Sequence, residues 1–427
     1  MGNKRTAGLG DYDWWSVLLV MLLAATGIML IGSVDRYHFH FDGFWASHQG
    51  KQTVWALLSV IFAAMVVLTS HKFIMRWSSL IYLAGLALLA GVLLFGKEIA
   101  GARSWYQFGG ISFQPSEAAK WMTALGLAKL MSERDFHLHS WRNLFKVGVL
   151  LGLPVLLILL QPDMGTVIVF AGAFLIVLYR FGLSGTFILI SGWLAILFLL
   201  TLRYSPTAVL MGLVPLWLVV TLIIYWRSHS KNRWRMVVAS AVALLLSVGW
   251  IYGSDFLFSH LLKPHQQKRI AIMLGKLKDE KGAGYHLKQS LIAISNGGMY
   301  GQGYMHGSQL EGGFIPEQHT DYIFTTLAEQ FGWVGSTVFL AVYLLLIIRI
   351  FFLAERQKNL FAKIFGYSLG AFLAVHLFLN ILMTLGLFPT VGIPIPFVSY
   401  GGSAFWNFVI FLFIFLNFDA HRNEYFA

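Results

Sequence analysis

The feature that most constrains this chain is a recurrence, from one end to the other, of apolar runs about 20 residues long separated by short polar breaks. Wound as a helix rising about 1.5 Å per residue, such a run matches the roughly 30 Å hydrocarbon layer of a bilayer. The runs lie near residues 14–33, 53–69, 77–96, 117–131, 147–160, 166–179, 183–202, 207–226, 236–256, 322–352, 365–385 and 403–417. They imply an all-α polytopic membrane protein, a single bundle of about 12 transmembrane helices. The 57% hydrophobic and 12% charged content excludes an ordinary soluble domain, for which about 45–50% and about 25% are usual. No polar stretch is long enough for a separate soluble domain.

Orientation follows from the basic residues. The start, M-G-N-K-R-T, satisfies a myristoylation pattern and imitates a signal peptide, but the apolar run behind it is full length and has no small-residue cleavage site. It is read as a first span leaving the cytoplasm. Lys72 and Arg76, then Arg134, Arg142 and Lys146, then Lys231 and Arg233, then Arg356 and Lys358 occupy alternate loops, which places those loops and both termini in the cytoplasm. The other loops are longer and richer in Gly and Trp, so the functional face is expected outside. A net charge of +12, scattered over loops, suits an anionic membrane surface or an anionic lipid substrate rather than nucleic acid. Cysteine is absent, which removes disulfides and thiolate metal sites.

Loops carry chemistry while scaffolds carry burial. In the long outer loop, 257–321, Lys263, Lys268, Arg269, Lys276, Lys278, Lys281 and Lys288 form either a solvated loop or a basic cradle for a phosphate-bearing ligand. Leu287, Leu291 and Ile294 recur at helical spacing and suggest a short amphipathic helix on the bilayer. The run GGMYGQG, Gly297 to Gly303, lacks the context of a nucleotide loop and reads as a turn-rich lid. His38, His40 and Asp42 could surround a metal, although their alternation fits an interfacial aromatic belt better.

Four outer stretches weigh more. In GARSWYQFGGISFQPSEAAK, residues 101–120, Pro115 and Ser116 stand where a helix would begin, with Glu117 and Lys120 one turn apart: a local ion pair, or a charge pair facing a cavity. LQPDMGT puts Asp163 at the membrane edge, as a helix cap or as a site residue. PEQHTDYIF crowds Glu317, His319 and Asp321 at the entry to a long span, where Asp321 is again either cap or site. FPTVGIPIPFVSYGG, residues 388–402, is too rich in Pro and Gly to be helical and demands a cavity or protein beside it at membrane depth.

Together these stretches, in this order along the chain and with GAGYHLKQSLIAISNGG between the second and third, resemble the SEDS family of shape, elongation, division and sporulation proteins, which includes RodA and FtsW. Gln318 before His319, and the GGF of 312–314, are closer to the RodA branch. The resemblance implies a peptidoglycan glycosyltransferase of the bacterial cytoplasmic membrane. It would polymerise lipid II at the outer face, with a class B penicillin-binding protein as transpeptidase partner, for elongation and cell shape. Asp321 matches the family's essential acidic residue; Glu117, Lys120 and Asp163 match the charged residues of its central cavity. Arg103 and Trp105 match the first-loop motif, and Lys268 or Arg269 falls near a basic position. Gln289, Glu317 and His319 complete the expected substrate contacts.

Asp321 would take the proton of an acceptor 4-hydroxyl as it attacks an anomeric carbon with inversion. Since a free Asp titrates near 3.9, burial would have to raise it. Arg103, Lys120 and Lys268 or Arg269 would hold the diphosphate. No cofactor is required outright; a divalent cation, Mg or Mn, is the one candidate. Because the family has ten spans, 203–256 is expected to be an inserted helical hairpin, beside a first motif loop at 97–116 and a catalytic loop at 257–321. A lipid II flippase and a non-catalytic scaffold for the transpeptidase are the alternatives.

Overall fold

The computed structural model describes residues 8–38, 43–99, 102–109, 111–227, 233–261, 264–274, 276, 283–315 and 317–424. The possible metal ligands His40 and Asp42, the motif residues Gly101, Gly110 and Pro316, and Lys263, Lys278 and Lys281 lie outside them. Two compact units emerge: 1–183 with 286–427, and 184–285.

Each apolar run is a helix. The first unit holds α1 (Trp14–His38), α2 (His48–Leu68), α3 (His71–Phe95), α4 (Pro115–Met131), α5 (Trp141–Leu160) and α6 (Met164–Arg180). The second holds α7 (Gly185–Arg203), α8 (Pro206–Arg227), α9 (Arg233–Phe256) and α10 (Pro264–Met273). Then come α11 (Ala283–Gly297), α12 (Ser308–Glu311), α13 (Ile323–Glu355), α14 (Leu360–Thr384) and α15 (Gly402–Ala420). Among the described residues, ten helices are long and apolar enough to cross a membrane. The other two expected spans, α4 and α6, are only 17 residues each. The chain is a multi-pass, mostly helical membrane protein.

Burial ranks the helices of the first unit. The apolar windows of α14 and α15 are 72% and 78% buried, against 17% for α2, so the last two helices form the centre and α2 the rim. α4 packs against α3, α5, α14 and α15. Its Ala118, Ala119, Ala124, Gly126 and Ala128 are buried and bring backbones close, the usual means of helix association in lipid. That is why the short α4 can carry charged residues: protein, rather than lipid, surrounds it.

Three features depart from the sequence reading. The first motif loop is a meander of strands β1 (Lys97–Ile99), β2 (Ala102–Phe108) and β3 (Ile111–Phe113), paired antiparallel in that order. Alternation of side chains in ARSWYQF suits a strand, and Pro115 at the first helical position then opens α4.

The Gly-rich run is no lid. At Gly332 the 33-residue α13 breaks, with φ 64° and ψ −160°. Gln302 and Gly303 N–H donate to the carbonyls of Glu329 and Gln330 at 3.0 Å, and Trp333 and Val334 N–H donate to Gly298 and Met299 at 2.9 and 3.0 Å. A broken helix in apolar surroundings must find partners for its backbone, and this run supplies them. A Cβ on Gly332 would lie 2.3 Å from Gly301 N, so only glycine permits the approach.

α11 forms as expected, but Leu291 is 41% exposed while Ser290 and Ala293 are fully buried. Small residues seat this helix on protein: Ser290 Oγ is 2.7 Å from Thr325 Oγ1 and donates to the Thr384 carbonyl at 3.0 Å.

In the second unit α9 packs on α7 and α8 around Leu197, Val209, Leu213 and Ile251. Trp193 donates to Ser247 Oγ at 3.1 Å and Trp217 to Ser240 Oγ at 2.8 Å, polar ties of the kind that join helices in lipid. α8 and α9 pack against each other within the stretch 203–256.

Candidate functional site

The first turns of α4, α6 and α15, the approach to α13, the middle of α14 and the 385–401 connection enclose a cavity of about 310 Å³ in the first unit. Glu117 enters it from α4, Asp163 from the α6 cap, Asp321 from the turn before α13 and Trp105 from β2.

Asp321 is held through its backbone and by its neighbour's lack of a side chain. Asn380 Nδ2, on α14, donates to the Asp321 carbonyl at 2.8 Å and to the Ile393 carbonyl at 2.7 Å, tying the turn to the 385–401 connection. Gly392, with φ 75°, lies against the carboxylate, and a Cβ there would stand 3.1 Å from Oδ2. The N-cap position of α13 belongs to Tyr322, with no side-chain capping bond, so Asp321 is not the cap.

Glu117 and Lys120 form a buried pair at 2.7 Å, Lys120 being 1% exposed. Lys120 Nζ also lies 3.0 Å from His376 Nε2, and His376 Nδ1 lies 3.0 Å from the Pro394 carbonyl. A carbonyl can only accept, so Nδ1 carries the proton and Nε2 receives one of the lysine N–H bonds. The imidazole is therefore the neutral Nδ1–H tautomer. Glu117 Oε1 is taken by Lys120, whereas Oε2 has no hydrogen-bond partner among the described residues. A buried carboxylate oxygen left in this way, on a residue lining a cavity, is an acceptor for what enters.

Asp163 does cap: Thr166 N–H donates to Oδ1 at 3.1 Å and Thr166 Oγ1 to Oδ2 at 2.8 Å. It also accepts from Gln114 Nε2 at 3.0 Å and lines the cavity. Tyr400 completes the wall; burial pushes its phenol above 10.0 and keeps it a hydrogen-bond donor. Behind it, the His319 and His48 rings stack with centroids 4.6 Å apart, and His48 Nδ1 is 2.8 Å from Asp35 Oδ1.

The other expected residues are not among those lining the cavity. Lys120 stands one layer behind the cavity, neutralising Glu117. Arg103 is exposed and donates to the Leu93 carbonyl at 3.4 Å. Glu317 is exposed and accepts from Thr320 Oγ1 at 2.9 Å, closing the turn. His319 supports Tyr400, whose N–H donates to its carbonyl at 3.0 Å. Gln289 is half-buried on α11 and does not line the cavity. Lys268 and Arg269 are exposed on α10, in the second unit.

His376, Asn380, Gln114 and Tyr400 are absent from the sequence reading. His376 and Asn380 are one turn apart in an otherwise apolar helix, and polar groups at membrane depth are themselves a signal of a site.

The profile of the FtsW, RodA and SpoVE family, described as cell cycle proteins, matches residues 13–213 and 206–424. The peptidoglycan glycosyltransferase MrdB of Escherichia coli is 34% identical over 81% of this chain and 78% of its own length. The peptidoglycan glycosyltransferase RodA of Treponema pallidum is 32% identical over 98% of this chain and 100% of its own. A solved structure from work on coordinated polymerization and crosslinking by a peptidoglycan synthase complex is 26% identical, with TM-score 0.69, over 97% of this chain and 99% of that one. The rod-shape-determining protein RodA of Thermus thermophilus shares the fold, at 23% identity and TM-score 0.62, over 97% of this chain and 98% of that one. This chain belongs to the FtsW, RodA and SpoVE family.

Proposed function

We propose that this chain is a peptidoglycan glycosyltransferase that polymerises lipid II into glycan strands in the cavity around Asp321. The observation that carries the reading is the meeting of Asp321, Glu117 and Asp163, from separate stretches of chain, in one cavity. The names of the relatives support it.

Transfer forms a bond from a sugar hydroxyl oxygen to the donor's anomeric carbon. The bond from that carbon to the diphosphate oxygen breaks, with its electron pair leaving on the diphosphate. The hydroxyl proton passes to Asp321, the base on the wall. Glu117 Oε2 and Tyr400 orient sugar hydroxyls, the one accepting and the other donating. Among the described residues no cation lines the cavity, and the leaving diphosphate meets the positive start of α15, which begins at Gly402 behind Gly401 with no side-chain cap, Gly401 lining the cavity. The carboxylates are hard oxygen donors, and Asp321 and Glu117, both on the cavity wall, would hold a magnesium or manganese ion. Such an ion, when bound, would offset the diphosphate charge.

We place the cavity on the outer face of the bacterial cytoplasmic membrane, with the basic loops inside, and a penicillin-binding transpeptidase as partner. The solved synthase complex supports the partner. A transporter reading fits less well. Apart from α14, the helices lining the cavity contribute only their first two turns, which puts the site towards one end of the bundle rather than at its midplane.

Purified chain incubated with labelled lipid II tests the reading. A ladder of glycan strands is expected; movement of lipid II between the leaflets of vesicles without its consumption would replace the enzyme by a flippase.

A further inference from the structure

The start of α3 and the end of α15 bring together His71, His421 and Glu424, one donor atom from each lying within 4.8 Å of the other two. His71 Nε2 is 3.6 Å from the Glu424 carboxylate and His421 Nε2 is 3.9 Å from it. The two imidazole rings stand 4.2 Å apart, centroid to centroid.

His421 is already oriented. Its Nδ1 lies 2.8 Å from the Asn417 carbonyl, so the proton stays on Nδ1 and the Nε2 lone pair points away. A backbone carbonyl on the far nitrogen is the usual way a metal-binding histidine is fixed. Asn417 is fixed in turn, its Nδ2 donating to the Val66 and Thr69 carbonyls at 2.8 Å each. His71 is 4% exposed.

We propose that these side chains bind a divalent transition-metal ion of the Zn2+ class, with water in the fourth position. Two imidazoles and a carboxylate are a zinc donor set, whereas Mg2+ and Ca2+ prefer oxygen alone. Tetrahedral bonds of about 2.0–2.1 Å put donor atoms ~3.4 Å apart, so the separations found need only side-chain rotation. Lys72 Nζ, 3.6 Å from Glu424 Oε2, is the competitor, and being 60% exposed it can swing into water. The site stands a helix length from the cavity, roughly 28 Å along the 19 residues of α15. It clips the end of the chain to the start of α3 and takes no part in glycosyl transfer.

The test uses the full chain in detergent, purification tag removed and stripped with a chelator, titrated with Zn2+ against a chromophoric competitor. One ion per chain is expected, with a raised melting temperature. H421A and E424Q, near the end of the chain, should each weaken binding at least tenfold while the far-ultraviolet dichroism stays that of the parent. Co2+ in the parent should show tetrahedral absorption that both variants lose. Binding without one-to-one stoichiometry, or unchanged in both variants, overturns the proposal.

Discussion

His376 Nε2 stands 3.0 Å from Lys120 Nζ, joining helices whose partners are 256 residues apart in sequence. Through Nδ1 the same ring holds Pro394, two residues from the Gly392 that backs Asp321. One neutral imidazole therefore fixes the counter-charge of Glu117 and the backbone beside the proposed base.

His376→Ala removes both links. A displacement of about 1 Å at a reacting group can cost roughly a hundredfold in rate, and a fall of that order in kcat/KM for polymerisation is expected. His376→Gln, which can still accept from Lys120, should recover part of it, with kcat restored more than KM. Equal loss in both variants would point to packing alone.

Gly392→Ala tests the wall behind Asp321. Its φ of 75° is unfavourable for alanine by about 1–2 kcal/mol. The new Cβ, 3.1 Å from Oδ2, also has to displace the carboxylate. Polymerisation should fall at least tenfold while the melting temperature drops by only a few degrees. Unchanged turnover would show that the carboxylate position does not matter.

Gly332→Ala should affect stability before chemistry. Besides the positive φ, its Cβ meets backbone at 2.3 Å, where no side chain can move aside. The loss should exceed the roughly 1–2 kcal/mol of the backbone conformation alone, read as a lower melting temperature. An unshifted melting curve would contradict the splice between the Gly-rich run and α13.

Asp13 gives a pH dependence. Burial pushes its carboxyl up, but hydrogen bonds from Arg349 and Ser16 outweigh this and hold it below 3.8. Arg349 Nε donates at 3.2 Å and Ser16 Oγ at 2.6 Å. A carboxyl depressed on folding stabilises above its unfolded pKa and loses that contribution as pH falls through its folded one. The melting temperature of the parent should thus fall on acidification below about pH 4 more steeply than that of Asp13→Asn. Parallel curves would remove Asp13 from the acid limb.

The bundle was legible because lipid imposes a length on every apolar run, and each run did become a helix. α4 and α6 are shorter, at 17 residues each, and their apolar stretches look alike in sequence whether lipid or protein surrounds them. The Glu117–Lys120 pair was legible from spacing along one helix. Its third member, His376, was not, because no local pattern links residues so far apart. The break at Gly332 was hidden as well: apolar residues continue on both sides, and only the backbone of the Gly-rich run reveals what the glycine allows. Asp163 and Asp321 looked alike in sequence, each a plausible cap. Folding separates them: Asp163 caps α6 with its side chain, whereas Asp321 stands ahead of the α13 cap and faces the cavity.

The most direct measurement is the rate of glycan strand formation from labelled lipid II by purified Asp321→Ala protein, with folding checked by its melting curve and partner binding by co-purification with the transpeptidase. No strands above background are expected from a protein that melts and binds like the parent. Strands made at the parent's rate would show that Asp321 is not the base and that the reaction lies elsewhere.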